Sequence, residues 1–308
     1  MLVFLLKKTI LMKKPFKVFF SVIAAGFFLA SPGYPFPNEG TETEKPVVYF
    51  GFIPLYTPPQ MYEKFQPFMD YLSRNTRYRF KMKLTRDYDG IIGLLEDGTL
   101  KIALLGGVSY VAARDKANLV PILKPLNHKG EPFYRSVLVA RKDSGINSLL
   151  DLKGRSIAFG ARHSTSTSLV PLYYLHKSGI HLDDLSGYTY LKYSDSIARE
   201  VLKWNYDAGT MIDSMADFYK DRGLKFIFVS EPIPTLPIVV RKDAPKELID
   251  EIKKVLLGLD PKDPVQHDML QEWGEEIKYG FVEAVGSDYD GIVRMIKYLK
   301  GKGGLRDQ

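Results

Sequence analysis

Two hydrophobic rhythms alternate along most of the chain. Short apolar or alternating runs at 47–53, 78–84, 102–105 and 120–123 predict strands. Between them, 61–74, 88–95 and 109–116 have helical spacing, and Phe65, Phe68, Met69 and Leu72 form one stripe of the first. A second set follows, with strands at 156–159, 189–193, 208–212 and 226–229 and helices at 169–177, 197–203 and 214–220. This order predicts an α/β protein whose sheets are covered by helices. Segments 137–143 and 237–243 bracket the second set, and both run apolar and then Arg-Lys-Asp. Either two ordinary strands coincide, or the chain leaves a first lobe near 140, builds a second and returns near 238. After the return, 244–256 reads as a helix with Asp243 as N-cap and a stripe of Leu248, Ile249, Ile252, Val255 and Leu256. A last helix is predicted at 287–299.

The N-terminus breaks the rhythm. Lys13, Lys14 and Lys17 precede an apolar run of 12 residues at 18–29, and Ala30, Ser31 and Gly33 are small enough for a cleavage site. A membrane span needs about 20 apolar residues, so 1–33 is expected to be a signal peptide, with an uncleaved anchor as the alternative and Met12 as a second possible start. Residues 34–46, rich in Pro and polar side chains, form a flexible lead-in. Charge follows the leader: its five Lys and no acid account for most of the net +7, and without them the chain stands at +2. A nucleic-acid footprint loses its main support. The chain has no Cys, which excludes disulfides, thiolate nucleophiles, Cys-ligated metals and a lipid anchor on Cys. The 308 residues suit two lobes or one large domain.

The most informative chemistry is the hydroxyl run Ser164, Thr165, Ser166, Thr167 and Ser168, placed where a strand ending at Phe159 gives way to a helix. Free backbone N–H groups and the helix dipole attract anions there, and hydroxyls add donors without charge. A cap needs one Ser or Thr; five are more than capping requires. Nothing selects a catalytic group. The five His residues (128, 163, 176, 181 and 267) lack metal-ligand spacing, and there is no G-x-S-x-G, Walker A or G-x-G-x-x-G. No cofactor is called for.

Several short motifs occur in one order: GFIP (51–54), DYDGII (87–92), GVSY (107–110), YRSVLV (134–139), SLLDLKG (148–154), STS (164–166) with LVP (169–171), and SEPIP (230–234). Together they resemble the phosphate/phosphite/phosphonate-binding periplasmic proteins of ABC importers over about 47–245. The resemblance implies a two-lobed type II periplasmic binding fold, each lobe a mixed, mainly parallel sheet flanked by helices, joined by two hinge crossings. Lobe 1 would comprise 47–138 and 238–308, with the C-terminal helices, and lobe 2 would comprise 139–237. It implies that Ser164, Thr165 and Ser166 hold a phosphono head while Tyr88 and Tyr134 close on it. Tyr110, at the end of GVSY, and Asp195 join the expected ligand-binding set.

The sequence departs from the aminoethylphosphonate-binding pattern of that family. Ser194-Asp195-Ser196 stands where a His segment is expected, Ser214 where an acid is expected (Asp213 is adjacent), and Leu236 where an Asp is expected. The resemblance then implies that an ammonium-bearing ligand lacks its counter-charges and that one pocket end is dry. Asp195 either faces a ligand that keeps a proton or lies outside the pocket. The expectation is a non-enzymatic, monomeric periplasmic protein that binds a small phosphorus oxyanion and delivers it to an ABC permease. The alternatives are a sensory subunit of a membrane receptor kinase and an enzyme on the same fold.

Overall fold

A computed structural model describes residues 44–304. The expected leader and most of the lead-in lie outside the described residues. The first lobe opens with β1 (Val47–Phe52), α1 (Pro58–Asn75), β2 (Arg79–Leu84), α2 (Tyr88–Glu96), β3 (Ile102–Leu104), α3 (Gly107–Ala113) and β4 (Leu119–Pro125). After β5 (Phe133–Tyr134), the second lobe runs β6 (Ser136–Arg141), β7 (Ser156–Phe159), α4 (Val170–Lys177), β8 (Gly187–Tyr190), α5 (Ser194–Leu202), β9 (Ala208–Ile212), α6 (Asp213–Lys220) and β10 (Leu224–Val229). The chain returns through β11 (Ile233–Pro234) to β12 (Ile238–Arg241), α7 (Lys246–Leu257), α8 (Pro264–Gln271), β13 (Phe281–Glu283) and α9 (Asp290–Gly301).

The first sheet has the order β13-β4-β12-β3-β1-β2 and the second β10-β6-β9-β7-β8. Parallel pairs hold one side of each sheet, β3-β1-β2 and β9-β7-β8. The crossing strands β12 and β6 run antiparallel to both their neighbours. The antiparallel share is therefore larger than in the mainly parallel sheets expected, because each crossing strand enters against the βαβ set. All of β6 pairs in the second sheet, so the first crossing precedes Ser136 rather than following residue 138.

The two crossings pair with each other. β5 and β11 form an antiparallel ribbon with Tyr134 opposite Ile233. At its edge the Ser136 amide donates to Ser230 Oγ and the Ser230 amide to the Ser136 carbonyl, each at 2.9 Å. Not every C-terminal helix stays with the first sheet: α9 packs between α3 and α4, with Tyr298 edge-on to Tyr173 at 5.2 Å.

The repeated Arg-Lys-Asp has a physical basis. Arg141 donates from Nη1 to the carbonyls of Val201 (2.8 Å) and Tyr206 (3.1 Å), closing the end of α5. Arg241 does the same at the end of α2, to Leu95 and Glu96. Each lobe thus uses its crossing strand to satisfy the orphan carbonyls of one of its helices. Arg141 is also buried and stacks 3.4 Å from the Trp204 ring centre. Arg141→Ala is expected to cost about 2 kcal/mol, from lost charged hydrogen bonds and stacking. Denaturant unfolding checks this, and an unchanged midpoint would refute the capping role.

Asp243 is not the N-cap of α7. The helix starts later, after Pro245. Asp243 instead pairs with Arg241 (2.9 Å) and Lys101 (2.7 Å), which hold its carboxyl down at about 2. A tertiary partner has outcompeted local capping. The predicted 189–193 strand sits earlier, at Gly187–Tyr190, where it pairs in register with β7. The predicted 109–116 helix starts at Gly107, whose lack of a side chain admits Ile292: a Cβ there would lie 2.2 Å from Ile292 Cδ1.

Candidate functional site

A cavity of about 410 Å³ opens beyond the C-terminal ends of strands from both sheets. Such ends are the general ligand position of open α/β sheets. Its lining comes from the segments after β1 (Ile53, Tyr56), β3 (Gly106), β7 (Ala161 and Ser164 to Thr167), β8 (Lys192, Asp195) and β9 (Asp213, Ser214).

The hydroxyl run does more than cap a helix. Thr165–Leu169 winds as a π-turn before continuing into α4. The amide of Leu169 reaches Ser164 O (3.1 Å) and that of Val170 reaches Thr165 O, the wide rings of that geometry. Such turns are frequent at functional sites. Ser164 is the N-cap; its Oγ accepts from the Thr167 amide (3.3 Å) and the Thr167 hydroxyl (2.7 Å), which leaves its own proton to donate. The carbonyl side of the turn is held from behind. Ser136 Oγ donates to Ser166 O (2.5 Å), and Thr210 Oγ1 (2.7 Å) and the Gly160 amide (2.9 Å) donate to Thr167 O. The opening amides of the turn, Thr165 and Ser166, have no helical carbonyl behind them. Ser164, Thr165, Ser166 and Thr167 all line the cavity, and the last three are buried.

The first lobe closes over this turn. The Val108 amide, in α3, donates to Thr165 Oγ1 at 3.0 Å. Tyr88, the first residue of α2, meets the His163 ring edge-on at 6.2 Å, and Asp89 lies 3.3 Å from His163 Nδ1. Tyr134 projects from the hinge ribbon. Burial raises the phenols of both tyrosines, that of Tyr134 to about 12 although the Ser166 and Thr165 hydroxyls oppose the rise. Both are therefore neutral donors near neutral pH.

Six of the seven expected residues line this cavity: Ser164, Thr165, Ser166, Tyr88, Tyr134 and Asp195. Tyr110 does not. It is buried in α3 against Tyr289, with ring centres 5.1 Å apart, where packing rather than a ligand fixes it. Asp195 is in the lining and is paired with Arg199 at 3.0 Å. Ser214, Asp213 and Leu236 line it too. Sequence reasoning missed the opposite wall, formed by Tyr56, Glu275, Glu276 and Tyr279. Tyr56 donates a hydrogen bond to Glu276, a pair separated by 220 positions and invisible to local periodicity.

A two-lobed α/β protein with a hydroxyl-bearing turn lining its cleft narrows the comparison. Residues 50–289 match the family described as the periplasmic substrate-binding protein of the phosphonate ABC transporter. The chain belongs to that family. It is 30% identical over 249 residues to the phosphonates-binding periplasmic protein of Escherichia coli, covering 77% of this chain and 73% of that one. It is 25% identical over 262 residues to the phosphate-import protein PhnD of Mycolicibacterium smegmatis, covering 78% and 82%. The structure of PhnD1 from Prochlorococcus marinus in complex with methylphosphonate superposes with a TM-score of 0.73 at 22% identity, over 83% of this chain and 99% of that one. The fold is thus that of type II periplasmic binding proteins, and members of the family are the periplasmic solute-binding components of ABC importers. Among the described residues, no helix is long and apolar enough to cross a membrane.

Proposed function

We propose that the protein binds a small phosphorus oxyanion (phosphate, phosphite or a simple phosphonate) in the cleft, with Ser164, Thr165 and Ser166 as head-group donors. The observation that carries this is the π-turn whose carbonyls are tied by Ser136 and Thr210 while its Ser164 to Thr167 residues line the cavity. These donors are neutral, so they select by shape and protonation state as well as by charge. Tyr88 and Tyr134 add two phenolic donors from the first lobe and the hinge. Contacts from both lobes favour the closed state, and the lobes move about the β5–β11 ribbon. A membrane permease recognises that closed state. Residues 1–33 direct export and are removed, the mature protein acts as a monomer, and it releases its ligand unchanged rather than acting as an enzyme.

The test uses residues 34–308, unfolded and refolded to strip carried ligand. Melting is followed with phosphate, phosphite and methylphosphonate. A ligand at a hundred times its Kd stabilises the folded state by about 2.7 kcal/mol, which raises the melting temperature by several degrees. A folded protein that responds to none of the three ends this reading.

A further inference from the structure

The loop that leads into the π-turn carries a side chain the cavity does not use. The Ser164 amide donates to the Ala161 carbonyl at 2.8 Å, and Ser164 then caps the turn. His163 is therefore fixed in the backbone one residue before a proposed head-group donor, yet it is not part of the cavity lining. Its Nδ1 lies 3.3 Å from Asp89 Oδ1, on the other lobe. Asp89 is fixed too. It sits in the first turn of α2, where Asp87 accepts the Gly90 amide at 2.9 Å, and a helix N-terminus favours a carboxylate. The pair thus spans the lobes, one position from Ser164 on one side and one from Tyr88 on the other.

The Val108 amide's bond to Thr165 Oγ1 also joins the lobes here, but it is neutral at any ordinary pH. The His163 contact is not. An imidazolium attracts the carboxylate, whereas a neutral imidazole offers at most a hydrogen bond. The titratable groups that face His163 are Asp89 and the Tyr88 phenol, both from α2. Burial keeps Tyr88 neutral, and Asp87 is engaged as the helix cap. On His163's own turn, Arg162 lies 4.2 Å from the Tyr190 ring centre, held towards β8. Asp89 is therefore the charge that His163 meets. Asp89 is 76% exposed and His163 30%, so solvent screens the pair and its effect is modest.

We infer that His163 and Asp89 form a proton-dependent clasp across the mouth of the cleft, which tightens ligand binding as the pH falls. The inference rests on the ligand site proposed above. His163 is a positioning residue: it touches no ligand and acts by holding Tyr88 and the Ser164 turn face to face. Opening the lobes separates His163 from Asp89, so the charged pair exists only in the closed state. Its contribution to closure is present when the imidazole carries its proton and is lost as the pH rises and the proton leaves. A periplasmic protein meets such changes directly, because small ions cross to it from outside the cell.

The experiment measures Kd by calorimetry on the refolded mature protein at about pH 5.5 and about pH 8.5, on either side of the imidazole's ordinary range. The probe is whichever of phosphate, phosphite and methylphosphonate binds the parent. Each of these anions titrates as well, but at one pH the parent and a variant meet the same ligand species. The quotient of variant Kd to parent Kd therefore cancels the ligand's own titration. His163→Gln keeps a polar side chain of similar reach without the charge. Its expected quotient is about three to five at the lower pH and falls towards one at the higher, the size of a partly exposed ion pair. Asp89→Asn, on the other lobe, should give the same profile, and the double variant should lose no more than either single one. A quotient equal at the two pH values, or an Asp89→Asn protein with the parent's profile, overturns the clasp while the ligand site stands. If the folded parent binds none of the three anions, the proposed function fails, and the clasp is read without ligand. Small-angle scattering should then give the parent a smaller radius of gyration at the lower pH, a difference absent from His163→Gln. Equal radii in the parent at the two pH values end the inference as well.

Discussion

Replacing Ser164 and Thr165 together by alanine is expected to abolish the melting shift given by a phosphorus oxyanion at concentrations that saturate the parent. In the proposed site each hydroxyl donates to a charged oxygen, and such bonds contribute about 1.5–3 kcal/mol. Two lost donors weaken binding by roughly a hundredfold or more. At a fixed ligand concentration of a hundred Kd, that removes nearly all of the linkage stabilisation. The variant also loses intrinsic stability, because Ser164 is the N-cap of the turn and Thr165 accepts the Val108 amide. The cap alone is typically worth about 1 kcal/mol. Thr165→Ser separates the effects: it keeps the hydroxyl, so binding should survive while the lost methyl costs some packing. A folded double variant that retains the parent's shift would place the head group elsewhere in the cavity.

The hydroxyl run's place in the cavity wall was legible because its signal is local. Five consecutive hydroxyls exceed what a cap requires, and the strand before them and the apolar helix after them fix where they lie. The π-turn was not legible, since periodicity distinguishes strand from helix but not one helical ring size from another. Its geometry depends on Ser136, Thr210 and Gly160, which approach from other strands and a loop. The far wall failed to show for the same reason on a larger scale. Glu275 and Glu276 carry no local signal of a site, and only the fold sets Glu276 against Tyr56, 220 positions away. Tyr110 shows the opposite error. It belongs to the GVSY segment, in which Gly107 lets α3 approach the turn closely while the tyrosine packs on Tyr289. Asp243 had every local mark of a cap and was claimed by Arg241 and Lys101. In each case the sequence reading failed where a long-range partner outweighed local preference.

Gly160→Ala should damage the site without touching a ligand. Gly160 follows β7, and its amide donates to the Thr167 carbonyl at 2.9 Å. A Cβ at this position would lie 1.9 Å from Thr167 Oγ1 and 2.5 Å from Thr167 Cβ. Thr167 has no easy retreat: its hydroxyl and amide are bound to Ser164 Oγ, its carbonyl to Thr210, and its side chain is buried. The turn must therefore shift as a unit. Overpacking of this kind costs about 1–3 kcal/mol, and disturbing the Ser164 cap adds about 1 kcal/mol. The expected result is a destabilisation of about 3 kcal/mol by denaturant unfolding, and oxyanion binding weakened more than tenfold in the protein that remains folded. Gly187→Ala is the matched control, in the adjacent strand β8, where an added Cβ meets nothing within 4 Å. It should be neutral or slightly stabilising, because alanine narrows the unfolded ensemble. If Gly160→Ala melts and binds like the parent, the turn is not rigidly held, and the reason for expecting neutral donors to be preorganised for a phosphorus oxyanion disappears.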